Sequence, residues 1–76
     1  MVDLTILAKR LQVARIAAGL SQAKAAEHAG VTRVTVFKAE RGQHTPRMDT
    51  VVILAKAYGV SIDWLCGLDG GKTNEG

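Results

Sequence analysis

One short segment, residues 31–42 with the sequence VTRVTVFKAERG, combines side chains of opposite character. Guanidinium and ammonium groups bind anions through charge-assisted hydrogen bonds, and one arginine can donate two parallel bonds to a single partner. Read as a helix, the segment sorts these side chains onto two faces. The inward candidates are Val36, Ala39 and Glu40, which would leave the other face for an anion. That other face carries Arg33, Val34, Phe37, Lys38 and Arg41.

Local preference alone leaves helix and strand open for this segment, because its valines and threonines favour strands. Every other segment has helical periodicity, and a lone strand would leave backbone N–H and C=O groups unpaired. Ser21 and Thr32 are N-cap candidates for two short helices, which Gly30 and Gly42 end. The break AGVT between the two helices has the length of a helix-turn-helix link. The segment is therefore predicted to be a helix.

The rest of the chain divides into further helical segments. Asp3 is the N-cap candidate of the first helix. Pro46 lies in a loop before a fourth helix, RMDTVVILAKAYG, and Ser61 can cap a short fifth helix, IDWLCG. We therefore predict an all-α fold, a compact five-helix bundle over residues 1–66, followed by a flexible polar tail over residues 67–76. Its predicted core is Leu7, Leu11, Leu20, Val31, Val36, Ala39, Val51, Leu54, Trp64 and Leu65.

Composition and charge narrow the function classes. Hydrophobic residues make up 47% of the 76 residues, enough for one small globular domain with a modest core. Residues 1–58 carry nine basic and four acidic side chains, a net charge of +5. Residues 59–76 carry one basic and three acidic side chains, a net charge of −2. A basic body of this kind is a weak indication of a polyanionic partner.

The sequence lacks the signs of an enzyme or a membrane protein. Cys66 is the only cysteine, so no disulfide forms within the chain, and His28, His44 and Cys66 lack metal-ligand spacing. No nucleophile–base pair, phosphate-binding glycine loop or pair of carboxylates indicates catalysis. No apolar run approaches roughly 20 residues, and no signal peptide is visible. We expect a cytoplasmic protein with no catalytic residues, no metal and no cofactor.

Taken together, the segments resemble the phage-repressor-like (Xre/Cro type) helix-turn-helix family. The resemblance rests on GLSQAKAAEHAGVTRVTVFKAERG, a following proline and LAKAYGVSIDWL, and it spans roughly residues 7–65. It implies a lambda-repressor-like five-helix domain that binds double-stranded DNA as a transcription regulator. The regulator would be a repressor, acting as a homodimer on a two-fold operator, and its third helix would enter the major groove.

Position by position, the resemblance implies roles for individual residues. Gln22 matches a residue that contacts a phosphate and supports the recognition helix, and Arg47 matches one that approaches the backbone or minor groove. Arg15 and Glu40 match a partly buried salt bridge between the first and third helices. The resemblance implies DNA contacts for Gln22, Thr32, Arg33, Val34, Phe37, Lys38 and Arg47. With Ser21, Arg41 and His44, which are added on their own chemistry, the predicted DNA-binding set is Ser21, Gln22, Thr32, Arg33, Val34, Phe37, Lys38, Arg41, His44 and Arg47.

Elementary chemistry gives the exposed face of the third helix matching roles. Arg33, near the helix start, can reach guanine O6 and N7 with two parallel hydrogen bonds. Val34 and Phe37 can pack on thymine methyl groups. Lys38 and Arg41 are better placed for phosphates or a second base. Ser21 and Thr32, at the dipole-positive starts of their helices, mark anion sites, and His44 can touch a phosphate.

Three questions stay open at the level of sequence. The first question is the direction of Phe37, which either faces the DNA or folds back into the space beside the small Ala39. The second question concerns surplus apolar residues of the first helix, Ile6, Val13 and Ile16. They are either scattered surface residues or part of a contact with another chain. The function itself has rivals: an antitoxin or a restriction–modification controller whose DNA binding is autoregulatory, with a toxin as protein partner in the antitoxin case. A third alternative is a protein-interaction domain without DNA binding, against which the exposed cations argue.

Overall fold

Helices account for most of the chain that the computed structural model describes, residues 3–68. No β-strand occurs in this range, so the predicted all-α five-helix fold is confirmed. None of these helices has the length and apolarity needed to cross a membrane. Of the predicted tail 67–76, positions 69–76 lie outside the described residues. The helices are α1 (Leu4–Ala17), α2 (Gln22–Ala29), α3 (Arg33–Arg41), α4 (Met48–Tyr58) and α5 (Ile62–Leu65).

Side-chain caps explain where four of the five helices begin. In each, the oxygen of the residue before the helix accepts a backbone N–H from the first turn, which satisfies a donor that the helix itself leaves unpaired. The exception is α4, whose N-cap residue Arg47 makes no side-chain cap hydrogen bond. The capped starts are those of α1 at Asp3, α2 at Ser21, α3 at Thr32 and α5 at Ser61.

Small and branched apolar side chains from all five helices form one core. Leu11, Val36, Leu54 and Leu65 are the largest fully buried side chains, and they come from α1, α3, α4 and α5 respectively. Seven of the ten predicted core residues are buried, whereas Leu20, Val31 and Trp64 are only partly buried against the cluster. The α3 helix packs on both α1 and α2, so its inward face is held from two sides.

Arg10 fastens the short α5 helix to α1. Its Nη1 donates a hydrogen bond of 2.6 Å to the carbonyl oxygen of Trp64, and its guanidinium lies 4.9 Å from the centroid of the Trp64 ring. A guanidinium at this distance from an indole face makes a cation–π contact. Arg10 therefore takes part in packing within the domain.

Candidate nucleic-acid interface

The turn between α2 and α3 sets the direction of the basic helix. Gly30 ends α2 with φ of 73°. This is a left-handed backbone conformation that residues other than glycine adopt only at an energetic cost. Val31 N then donates to Ala26 O at 3.0 Å, which closes the turn. Thr32 Oγ1 accepts from Thr35 N at 3.2 Å and starts α3. The two helices are thereby joined as a compact helix–turn–helix unit.

A largely buried ion pair connects the inward side of α3 to α1. Arg15 donates from Nε to Glu40 Oε2 at 2.7 Å and from Nη2 to Glu40 Oε1 at 3.2 Å. The side chains of Arg15 and Glu40 are only 12% and 5% exposed. Arg15 Nη1 also donates to Leu20 O at 2.8 Å, so the guanidinium links α1, the turn that follows it and α3. Glu40 is therefore a structural residue of α3 and faces away from its exposed surface.

Gln22 connects the start of α2 to the same pair. Its Nε2 donates to Glu40 Oε1 at 3.2 Å, and the side chain is partly buried. Gln22 also borders a surface groove together with Arg33, Val34 and Phe37. The Gln22 side chain thus contacts the Glu40 carboxylate behind α3 and also lies beside the outward face of α3.

The environment of this network also shifts two pKa values. The hydrogen bond from Arg15 to Glu40 raises the pKa of the Arg15 guanidinium, so the arginine stays charged. Tyr58 is 7% exposed, and burial raises the pKa of its hydroxyl to about 12, with a further contribution from the nearby Glu40 charge. Within residues 3–68 the Tyr58 Oη has no hydrogen-bond partner. Both shifts favour a neutral tyrosine beside a charged pair at neutral pH.

The outward face of α3 carries cations and apolar groups side by side. Arg33, Lys38 and Arg41 are exposed, and among them Val34 and Phe37 are 57% and 45% exposed. Ala39, on the opposite side of the helix, is buried at 5%. The Phe37 side chain therefore lies on the surface. Exposed apolar side chains on an otherwise charged face indicate a binding surface when they lie together.

Arg41 lies over the Phe37 ring, one helical turn further along α3. Its guanidinium carbon is 5.4 Å from the ring centroid, within the range of a cation–π contact. The ring borders the groove beside Gln22 on one side and a second groove beside Lys38 and His44 on the other. Phe37 thus forms a ridge between the two grooves, with the Arg41 charge placed over it.

A further groove of about 230 Å³ runs between α3 and the start of α4. Because α4 has no side-chain cap, its first N–H groups are available at the positive end of the helix dipole. Arg47 is strongly exposed and pairs with Asp49 at 3.2 Å, which partly offsets its charge. The sequence did not indicate the hydroxyls in this lining, which are those of Thr35, Thr45 and Thr50. The lining residues are Thr35, Lys38, Ala39, His44, Thr45, Pro46, Arg47 and Thr50.

The predicted site residues therefore fall into three groups. Arg15, Gln22 and Glu40 form the partly buried network behind α3. Ser21 and Thr32 are exposed N-caps, whose oxygens accept the backbone N–H groups of Lys24 and Thr35. The residues of the outward surface are Arg33, Val34, Phe37, Lys38, Arg41, His44 and Arg47, all exposed.

Two short helices joined by a tight turn, the second with an exposed basic face, are the arrangement of a helix-turn-helix domain. A family model described as Helix-turn-helix matches residues 11–65. The chain belongs to this family, and the predicted family resemblance is confirmed.

Two bacterial relatives and one solved structure are similar to the chain. HTH-type transcriptional regulator ImmR of Bacillus subtilis is 40% identical over 63 residues, 83% of this chain and 50% of the relative. The cryptic phage CTXphi transcriptional repressor RstR of Vibrio cholerae is 37% identical over 59 residues, 78% of this chain and 53% of the relative. The chain thus spans about half the length of these two relatives. The crystal structure of the restriction-modification controller protein C.AhdI from Aeromonas hydrophila matches with a TM-score of 0.76 at 35% identity, covering 83% of this chain and 96% of that one.

Proposed function

We propose that this protein is a sequence-specific double-stranded DNA-binding transcription regulator that inserts α3 into the major groove. The observation that carries the proposal is the division of α3 into two faces. Glu40 is bound from behind by Arg15, whereas Arg33 and Lys38 are exposed on the outward face. The phosphates of a duplex line both sides of the major groove, and the base edges lie between them. The outward face of α3, with cations around a central apolar strip, is complementary to this arrangement.

The proposal assigns different tasks to the exposed cations. Arg33 lies in the first turn of α3 and reads a guanine through its O6 and N7 atoms. Lys38 and Arg41 border the groove between Phe37 and His44, and Lys38 and Arg47 border the groove at the start of α4; there these three cations contact phosphates. The uncapped start of α4 donates backbone N–H groups to a further phosphate. Phosphate contacts set the register of the domain on the duplex, and base contacts set its sequence preference.

The proposal includes a homodimer on a two-fold operator, acting as a repressor. In this architecture the half-sites lie about one helical turn of DNA apart. One relative supports the repressor role, because RstR is described as a transcriptional repressor. Since DNA is the ligand, we also place the protein in the cytoplasm.

A restriction–modification controller is the second candidate. The match to C.AhdI supports it, since this chain covers 96% of the length of that controller protein. An antitoxin with a toxin as protein partner is the alternative that involves a second macromolecule. In both, binding of the domain to its own operator would serve autoregulation. Identifying the genes next to the selected operator would separate these candidates from a phage-type repressor.

Binding-site selection on random duplexes, followed by two α3 variants, tests the proposal. Arg33→Ala should weaken binding to the selected site by about 1–3 kcal/mol and relax the preference at one base position. Lys38→Ala should weaken binding to all sequences by a similar factor, because a phosphate contact carries no sequence information. Lys56→Ala, which removes the same charge from the end of α4, is the matched control and should bind as wild type. If selection enriches no sequence, the proposed function is wrong.

A further inference from the structure

One of the exposed cations near α3 is already paired with a carboxylate. Arg47 Nε lies 3.2 Å from Asp49 Oδ1, and Arg47 Nη2 donates to Asp49 Oδ2 at 3.3 Å. The guanidinium thus uses two of its N–H groups on the two oxygens of one anion, which is also how arginine binds a phosphate. Within residues 3–68, the other cations of the outward surface, Arg33, Lys38 and Arg41, form no ion pair.

This pair contributes little to the fold. The side chains of Arg47 and Asp49 are 83% and 62% exposed, and a pair so open to water adds little to stability. Asp49 also lies in the first turn of α4, where the helix dipole stabilises a negative charge, but that interaction does not require a contact with Arg47. The main consequence of the pair is therefore for the charge and the donors that Arg47 presents to a ligand.

Arg47 lies between two positions for an anion. On one side is Asp49, and on the other is the groove between α3 and α4, which Arg47 borders together with Lys38 and His44. The lining of this groove contains no carboxylate, so no negative side chain there opposes a phosphate. Because the Arg47 side chain is mostly in water, it can turn from one position to the other without disturbing the packing of the domain.

Resting on the proposed function, we propose that Asp49 competes with the DNA phosphate for Arg47. In the free protein the carboxylate occupies the guanidinium N–H groups that a phosphate would use. On the duplex, Arg47 exchanges the carboxylate for a phosphate, and the free energy of the broken pair is subtracted from that of the new contact. Since a phosphate contact carries no sequence information, Asp49 weakens binding to every duplex by a similar factor.

Asp49→Asn tests the proposal, because asparagine keeps the shape of the side chain and removes the charge. Binding to the selected duplex and to an unrelated duplex is measured at low salt, and melting curves confirm that the variant is folded. Both duplexes should bind about threefold more tightly for each protomer, and so about tenfold for a dimer, as expected for the loss of an exposed pair. The gain should shrink as salt is added, since exposed charges are screened.

Two further variants show whether the gain comes through Arg47. Asp63→Asn is the matched control, because Asp63 is an exposed aspartate in the first turn of α5, and it should bind as wild type. Arg47→Ala should weaken binding to both duplexes. When Asp49→Asn is added to Arg47→Ala, its gain should shrink towards onefold, because no guanidinium is left to compete for.

The outcomes separate the inference from the proposed function. Equal or weaker duplex binding by Asp49→Asn overturns the inference, even when the wild type binds the selected duplex tightly. A gain of undiminished size in Arg47→Ala, or the same gain in Asp63→Asn, also overturns it, because the effect would then come from net charge alone. Failure of the wild type to bind any duplex overturns the proposed function, and the inference with it.

Discussion

The Arg15–Glu40 ion pair connects the inward side of α3 to α1. Glu40→Gln is the smallest change that breaks it, since the side chain keeps its shape and loses its charge. The carboxylate accepts from Arg15 through both oxygens, at 2.7 and 3.2 Å, whereas glutamine replaces one of these oxygens by an NH2 group, which is a donor facing a donor. The Arg15 guanidinium, 12% exposed, would remain charged in a site with little water.

The expected cost follows from burial. Removing one partner of a buried pair leaves an uncompensated charge and destabilises by about 3–5 kcal/mol. The total stability of a small domain is only about 5–15 kcal/mol, so this loss is a large fraction of it. For a domain of this size each kcal/mol lowers the melting temperature by about 4–8 °C, and Glu40→Gln should therefore melt at least roughly 12 °C lower.

Thermal melting followed by circular dichroism measures the effect, and the chain contains its own control. Lys24 and Glu27 form an exposed pair at 3.4 Å on α2, with side chains 69% and 72% exposed. An exposed pair contributes about 0–1 kcal/mol, so Glu27→Gln should change the melting temperature by only a few degrees. If Glu40→Gln and Glu27→Gln melt together, the buried pair does not hold α3, and the reasoning is refuted.

Two further predictions concern a glycine and a tyrosine. Gly42 ends α3 with φ of 72°, and a Cβ there would lie 3.2 Å from Ala8 Cβ; Gly30 has a similar φ of 73° but open space around it. Denaturant unfolding should therefore show a loss of about 1–2 kcal/mol for Gly30→Ala and a larger loss for Gly42→Ala, and equal losses would contradict the crowding at Gly42. Tyr58→Phe should stabilise the protein by about 1 kcal/mol at neutral pH, because it removes a buried hydroxyl without a partner in the described residues. The pKa of Tyr58 is about 12 in the folded state and about 10 in the unfolded state, so the unfolded state loses its proton first as the pH rises. Between pH 10 and 12 the free energy of unfolding of the wild type should therefore fall by up to about 3 kcal/mol, whereas that of Tyr58→Phe should not show this fall. Parallel pH curves for the two proteins would show that Tyr58 does not titrate in this way.

The limits of α2 and α3 could be predicted from sequence because the signals that set them are local. Ser21 and Thr32 cap their helices through a hydrogen bond to a backbone N–H three residues later. Gly30 and Gly42 adopt the left-handed conformation that ends a helix. Each of these interactions involves residues that are close together in the chain, so the helix limits can be predicted from short stretches of sequence.

The partner of Arg10 could not be predicted because it depends on how distant elements dock. Arg10 and Trp64 are separated by 54 positions, and their contact exists only once α5 has packed on α1. The direction of Phe37 was open for a related reason. It depends on how completely the other helices fill the space around Ala39, which is buried at 5% while Phe37 stays 45% exposed. The contacts of both residues are decided by the packing of elements that are distant in the sequence.

The salt dependence of duplex binding tests the central claim most directly. Three exposed cations per protomer, Lys38, Arg41 and Arg47, are assigned to phosphates, so a bound dimer would neutralise about six of them. The logarithm of the association constant should then fall with the logarithm of salt concentration with a slope of about −5. Lys38→Ala should make this slope shallower by about 2 for the dimer, whereas Lys56→Ala should leave it unchanged. A wild-type slope near zero would contradict the account, because α3 would then not bind the phosphate backbone.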